Sequence, residues 1–372
     1  MESEGGVAPR VVAFVDLDYF FAQVEEIQRP DLRDKPVVVC VYSGRGPTSG
    51  VVSSANYVAR SYGVRAGIPI SRAVRLLPPT SAFLPVRMQL YSEFSSRVMT
   101  LLREYSDRLR VESIDEASMD ITGRVGGDYV RAETLAREIK ERMRQELGLK
   151  CTIGIAPNRT VAKIAADLSK PDGMKVVIPS QVRSFLSPLD VEKLPGVGRK
   201  LAKALEGLGV RTLGQLARLQ PEALEEVVGL KRASYLVRAA AGNLDEIISE
   251  RGPRKQLSRI ITLKMDTRDV DEILEQLKPS LGQLIEKMRE GMTMARNIGI
   301  YVVTEDLQPI TRQRTISGPI SSDTCYEAIR RMLTELVADK PTIRIRRAGI
   351  RFSGFIAAGG QQTLTDFTAD NP

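Results

Sequence analysis

Between Pro179 and Asn243 no stretch of the chain reads as a strand, whereas strands alternate with helices on both sides of it. That double change of texture makes one continuous sheet impossible and calls for several separately packed units. In the first part, Arg10 to Val15 is a run of apolar and β-branched residues, predicted to be a buried strand. Asp18 is placed to N-cap a helix from Tyr19, with Phe20, Val24 and Ile27 on one face. Pro36 to Tyr42 reads as a second buried strand, Ser43 to Gly50 as a glycine-rich hairpin, and Val51 to Ser54 as the returning strand, running into a helix. A helix from about Met88 to Tyr105, strand character from Val111 to Ile121, a charged amphipathic helix from Arg131 to Leu147, and a strand from Lys150 to Ala156 feeding a helix that ends near Ser169 complete this part. In the helical part the turns are marked by Gly196, Gly198, Gly209 and Gly229, and Asp245 to Gln256 reads as a linker. From Leu257 the order is strand, helix, strand, strand, helix, strand: Ser258 to Lys264, Val270 to Glu290, Gly299 to Val303, Ile310 to Ser317, Ser322 to Asp339 and Thr342 to Phe352. This order fits a small split βαβ unit. A chain of 372 residues can bury roughly two to four cores, so an α+β multidomain protein is expected.

The chain has no histidine. Ser-His-Asp triads, Cys-His dyads, histidine zinc sites and imidazole bases are therefore excluded, which leaves carboxylates, lysines and tyrosines, with hard metals held through oxygen. A net charge of +8 and a pI near 9.4 permit a polyanionic partner. Cys40, Cys151 and Cys325 are too far apart for a CxxC pair, and buried, reduced thiols are expected. The first residues are acidic and glycine-rich, and no stretch of about 18 apolar residues occurs, so a soluble cytoplasmic protein without a membrane partner is expected.

Two acidic clusters stand out. Asp16-Leu17-Asp18 closes the first strand, and Glu112-Ser113-Ile114-Asp115-Glu116 lies in the strand-like run. Two-metal phosphoryl transfer needs two or three convergent carboxylates around ions about 3.5–4 Å apart. Neighbours on a regular strand face opposite ways, so Asp115 and Glu116 can share a site only at a bend, bulge or hairpin tip. Asp18 is read as a helix cap or loop carboxylate.

The strings Val15-Asp16-Leu17-Asp18-Tyr19-Phe20-Phe21-Ala22-Gln23-Val24-Glu25 and Ser113-Ile114-Asp115-Glu116-Ala117 strongly resemble the two palm motifs of Y-family DNA polymerases, the translesion enzymes, in the archaeal and bacterial DinB (polymerase IV) branch. The resemblance covers nearly the whole chain. It implies a right-hand polymerase: palm (1–27 and 87–177), fingers (28–86), helical thumb (178–244), linker (245–256), little finger (257–356) and a flexible tail (357–372). It further implies a template-directed, low-fidelity enzyme without proofreading that extends a primer opposite damaged bases and acts as a monomer on DNA and deoxynucleoside triphosphates. Asp16, Asp115 and Glu116 become the catalytic metal ligands, the Leu17 carbonyl assists, and two Mg2+ ions are expected, with Mn2+ able to substitute. The run Ser53 to Arg60 looks like the fingers motif at a helix start, where Tyr57 and Arg60 share a face; it places them at the β- and γ-phosphates with Ser54 nearby, and the Ser169-Lys170-Pro171 segment points Lys170 at the triphosphate. Phe21, one residue off the apolar face, is the steric gate against a ribose 2′-hydroxyl.

Leu194-Pro195-Gly196-Val197-Gly198 is a helix-hairpin-helix signature, whose glycines allow backbone N–H groups to approach a phosphate. Val228-Gly229-Leu230-Lys231 reads as a degenerate second copy. In Thr342 to Phe352 the alternation slips at Arg347, which predicts a bulge near Arg346-Arg347. Arg344, Arg346, Arg347 and Arg351, with no acid among them, suggest a surface that tracks a phosphate backbone. In the tail, Gln361, Leu364 and Phe367 repeat every three residues and resemble the clamp-binding peptide of replication proteins, although Thr368 stands where a second aromatic is usual. Two other functions compete: a nucleotidyl cyclase, which has no need of the hairpin and the arginine strand, and a catalytically idle DNA-binding scaffold, which has no need of the three acids.

Overall fold

The computed structural model describes residues 8–250, 252–291, 293–316 and 321–357. Its packing separates two compact units. One runs through Cys40, takes in Val52–Ile68 and continues from Arg72 to the linker; the other gathers Val41–Val51, Pro69–Ser71 and the chain from Gly252 on.

From the N-terminus the elements are β1 (Val12–Leu17), α1 (Phe20–Gln28), β2 (Val37–Tyr42), β3 (Gly50–Ala55), α2 (Tyr57–Ser61), α3 (Ile70–Leu76), β4 (Ala82–Pro85), α4 (Met88–Glu104), β5 (Arg108–Val111), β6 (Glu116–Asp120), α5 (Thr122–Val125), α6 (Tyr129–Leu147), β7 (Cys151–Ala156), α7 (Arg159–Ser169) and β8 (Met174–Val176). Five of the strands form a sheet in the order β5-β6-β1-β7-β8, and a smaller sheet has the order β3-β2-β4. Central β1 is buried along its whole length because both faces are covered. Ala13, Val15 and Leu17 pack with Leu102 of α4 and Ile139 and Met143 of α6, while Val12 and Phe14 pack with Val161 and Ala165 of α7. The two-residue period of the strand therefore puts Asp16 on the α7 face.

Helix α7 can lie this close only because β7 carries a glycine beneath it. A Cβ on Gly154 would stand 2.0 Å from the Ala162 carbonyl oxygen and 2.5 Å from the Ala166 nitrogen. Gly154→Ala is expected to lower the unfolding free energy by about 2–4 kcal/mol, the cost of pushing a packed helix off its sheet. Denaturant titration measures this directly, and an unchanged midpoint would show that α7 is free to shift.

The structure corrects several sequence expectations. The strand-like run from Val111 to Ile121 is a hairpin, β5 and β6, because Leu109 and Val111 pair across to Met119 and Ala117 while the N–H groups of Glu112 and Ser113 both turn back to the Glu116 carbonyl. Asp18 does not cap α1: Tyr19, in the left-handed conformation at φ 38°, occupies the cap position without a side-chain bond. The helix after β3 starts at Tyr57, not near Ser53, because buried Asn56 caps it; the Asn56 Oδ1 accepts from Val37 N and Ala59 N, and its Nδ2 donates to Glu26 and the Lys35 carbonyl. Strands β4 and β8 and helix α3 are too short to have announced themselves in the sequence.

The helical segment folds as α8 (Val182–Leu186), α9 (Arg199–Gly207), α10 (Leu213–Leu216), α11 (Glu225–Val228) and α12 (Leu230–Ala240). Leu205, Leu213, Leu216 and Leu236 join the cluster that contains Val12 and Phe14.

The second unit contains β9 (Gln256–Thr267), α13 (Val270–Glu290), β10 (Thr293–Thr304), β11 (Pro309–Thr315), α14 (Ser322–Asp339) and β12 (Ile345–Ala357), in the predicted order. Its sheet, β11-β10-β12-β9, has antiparallel neighbours throughout. Strand β12 thus separates β9 from β10 and gives the split arrangement. Both helices begin where the sequence places them, since Asp269 caps α13 and Ser321 with Thr324 forms a capping box on α14. All three cysteines are buried and free, and no helix among the described residues is long and apolar enough to cross a membrane.

Candidate active site

Asp16 lies at the end of β1 directly opposite Glu116, the first residue of β6, in an antiparallel pair. Side chains in such a pair stand about 4.5–5.5 Å apart at Cβ, and like charges there repel. Asp115 is fastened beside them, at the hairpin tip that the two-acid spacing required. Its carbonyl accepts from Leu17 N at 2.9 Å, and its carboxylate accepts from Ser113 Oγ at 2.5 Å. Leu17 is itself buried, so the chain reverses against a fixed strand end.

The electrostatics follow from this crowding. Burial pushes the Asp16 carboxyl up to about 7; Lys170 pulls it down, and Glu116 and Asp115 push it up again. Two lysines of the α7 region supply the opposing charge. Lys170 Nζ donates to Asp16 Oδ2 at 2.6 Å, and Lys163 Nζ donates to Glu116 Oε1 at 2.5 Å while lying 4.5 Å above the Phe14 ring. Burial opposes the charge on Lys163, but the Glu116 bond and the nearby carboxylates of Asp167 and Asp16 outweigh it and raise its pKa. Among the described residues no three acidic or cysteine side chains are already arranged around a single point. The carboxylates are held by ammonium groups, at positions where a hard cation has oxygen donors within reach. An all-oxygen set of Asp16, Asp115 and Glu116 suits Mg2+, which keeps waters and takes few protein ligands.

Asp18 faces away from this cluster. Its Oδ1 accepts from Thr152 Oγ1 at 3.0 Å and its Oδ2 from Asp172 N at 2.7 Å, so it ties the end of β1 to β7 and to the turn after α7. Tyr57 reaches it only at 3.5 Å, and burial, then Asp18, pushes the Tyr57 phenol up to about 12. Arg60 lies 4.9 Å above the Tyr57 ring, as their spacing on one helix face required, and its Nε is committed to the Ala55 carbonyl. Ser54 belongs to β3 rather than to a helix start, and its hydroxyl donates to the Tyr19 carbonyl at 3.2 Å.

Phe21 is half-buried and stacks on Tyr91 of α4, with ring centroids 4.3 Å apart and planes at 13°. The stack is fixed from behind: the Tyr91 hydroxyl donates to the buried carboxylate of Glu25 at 2.6 Å, and Arg87 donates to both of its oxygens. Sequence reasoning missed Tyr91, Glu25 and Arg87, because no local spacing links positions more than 60 residues apart. It also missed Lys163, for which a signal existed: Lys163 and Lys170 are two helical turns apart and project from one side of α7.

Gly196 takes the left-handed conformation at φ 91° and Gly198 begins α9, with open space at both α-carbons. Gly229, at φ 76°, begins α12 in the same manner, and Lys231 beside it is exposed. Arg232 Nη2 donates to the Gly196 carbonyl and joins the two glycine turns.

In the second unit the expected bulge is present, between Ile345 and Arg347. Arg347 and Arg351 share the face of β12 turned away from the helices, and Arg346 sits at the bulge. The reading of four arginines within the strand is corrected by one: Arg344 precedes β12 and donates to the Asp266 carbonyl. Gln361, Leu364 and Phe367 lie outside the described residues.

Comparison with known proteins agrees with this arrangement. Residues 15–167 match the model of the impB/mucB/samB family, residues 179–210 the helix-hairpin-helix motif of the same family, and residues 254–364 its C-terminal domain. The chain is 41% identical over 358 residues to the DNA polymerase IV of Saccharolobus solfataricus, covering 96% of this chain and 99% of that one. It is 40% identical over 365 residues to the DNA polymerase IV of Methanosarcina acetivorans, with the same coverage. Among solved structures, a Y-family DNA polymerase chimera aligns over 93% of this chain and 99% of its own, with a TM-score of 0.88 and 38% identity. An insertion ternary complex of Dbh DNA polymerase aligns with the same coverage at a TM-score of 0.66.

Proposed function

Because the chain belongs to the impB/mucB/samB family of Y-family DNA polymerases, in the polymerase IV branch, and is a nucleotidyltransferase with the α+β, multidomain architecture of those enzymes, we propose that Asp16, Asp115 and Glu116 carry its chemistry. The observation that carries this reading is the pairing of Asp16 with Glu116 across β1 and β6, with Asp115 tied to the same strand end. Three carboxylates gathered there repel unless cations lie between them.

These side chains, with the Leu17 carbonyl, would hold two Mg2+ ions, or Mn2+ in their place. When bound, the ions supply positive charge at the attacking and leaving oxygens. The protein's own part is to fix the ligands. The hairpin tip orients Asp115 and Glu116, the strand end orients Asp16, and Lys163 and Lys170 balance the cluster. Tyr57 and Arg60 bind the β- and γ-phosphates, with Ser54 close by, and Lys170 exchanges Asp16 for the triphosphate as it arrives. The flat face of Phe21, held by Tyr91, bounds the sugar. The turns at Gly196 and Gly198, together with Lys231, Arg347 and Arg351, bind the DNA backbone, and no element of the described chain is left over for a proofreading nuclease.

A labelled primer on a defined template, with four deoxynucleoside triphosphates and magnesium, tests the reading. Extension that follows the template supports it; cyclic product from a nucleoside triphosphate, or DNA binding without extension, favours the cyclase or the scaffold. We also propose that Gln361, Leu364 and Phe367 tether the enzyme to a sliding clamp, which raises its effective concentration at a primer end without altering the active site. Deleting residues 360–372 is then expected to abolish stimulation by the cognate clamp and to leave unassisted extension unchanged; undiminished stimulation would place any clamp contact elsewhere.

A further inference from the structure

In the second unit arginines are generally matched one to one by acids: Arg312 with Asp339, Arg314 with Glu335, Arg330 with Asp271. Asp266, near the end of β9, departs from that rule. Arg45, in the β2–β3 connection and within the same compact unit, brings Nη2 to 2.6 Å from Asp266 Oδ1. Arg346 Nη1 stands 3.7 Å from Oδ2, and Arg344 donates from Nε and Nη2 to the Asp266 main-chain carbonyl. Three guanidinium groups therefore meet one carboxylate. The match is also imperfect, for Asp266 Oδ1 is buried and no N–H is directed at it as a hydrogen bond. Arg45 is held in place without the acid, since its Nε donates to the Leu263 carbonyl at 2.6 Å and its Nη2 to the Arg346 carbonyl at 3.2 Å.

We propose that Arg45, Arg344 and Arg346 form a seat for a phosphate of the DNA backbone and that Asp266 is the resident anion which that phosphate displaces. A phosphodiester carries the same single charge as the carboxylate and offers two oxygens in a geometry that guanidinium forks match. Arg45 is preorganised by the two carbonyls, and Arg346 has a side chain 38% exposed, so the seat opens to solvent on the Arg346 side. Asp266 then acts as a built-in competitor. It keeps the cluster from repelling itself when DNA is absent, and it lowers affinity for DNA because its charge must be moved aside at each binding event.

The inference rests on the polymerase reading and is tested by fluorescence anisotropy of a labelled primer–template duplex across a range of salt. Asp266→Asn keeps the shape and removes the charge, and it is expected to tighten binding about fivefold or more. Adding Arg45→Gln to Asp266→Asn is expected to reverse the gain and to reduce the slope of log K against log salt by about one, the signature of a lost phosphate contact. Arg346→Gln, on the open side, is expected to reduce the slope similarly in the same background. Unchanged or weaker binding by Asp266→Asn, with slopes that stay constant through the series, would overturn the inference and leave the cluster as a structural tie. Failure of the unaltered chain to bind the duplex at all would instead overturn the polymerase reading.

Discussion

Replacing Asp115 and Glu116 together by alanine is expected to slow single-turnover primer extension by about 10³-fold or more, a loss of roughly 4 kcal/mol of transition-state stabilisation. Asp16 alone, at the end of β1, cannot hold two ions in line with a primer oxygen and an α-phosphate. Stability is expected to hold or rise slightly, because the substitution removes two like charges beside a buried carboxylate that burial and those neighbours already push up to about 7. DNA affinity is also expected to survive. This combination separates lost chemistry from lost structure: full-rate extension by the double variant in magnesium would contradict the assignment, and a collapsed melting transition would show that the pair supports the fold instead.

Phe21→Ala is expected to raise the efficiency of ribonucleotide use relative to deoxynucleotide use by about 10²-fold, the scale on which a pocket wall discriminates a single added group. The structure gives that wall its rigidity. A ring stacked at 4.3 Å on Tyr91, itself anchored to Glu25 and Arg87, cannot swing aside to admit a 2′-hydroxyl. Losing the stack alone costs about 0.5–1.5 kcal/mol of stability beyond the lost apolar contact, so the variant is compared at a temperature well below its melting transition. An unchanged ratio of kcat/KM values for the two sugars would make Phe21 a packing residue only.

Much of this was legible in the sequence where short-range chemistry decides the structure. The apolar run around Val15, the capping residues Asp269 and Ser321, and the phase slip at Arg347 each act within a few residues, and the structure agrees with them. The need for a bend at Asp115 and Glu116 was also readable, since a flat strand would have sent the two acids apart. Reading stopped where partners are distant in sequence. Asp18 looked like a helix cap because the helix is adjacent, but Thr152 and Asp172 compete for its oxygens and win, since a buried carboxylate needs more than a helix terminus to satisfy it. The lysine partners of Asp16 and Glu116 depend on how closely α7 packs on Gly154, a tertiary distance that no spacing encodes. The same holds for Asp266 and Arg45, which come together only after β9 and the β2–β3 connection are in place.

The central claim, that Asp16, Asp115 and Glu116 together hold two divalent ions, is tested most directly by counting bound Mn2+ with electron paramagnetic resonance. The sample is the full chain with a dideoxy-terminated primer–template and the correct incoming deoxynucleoside triphosphate, so that the complex assembles without reacting. Two protein-dependent ions per chain are expected, with at least one lost on replacing Asp115 and Glu116 by alanine. Two ions that remain bound after that replacement would contradict the claim and move the metal site away from the ends of β1 and β6.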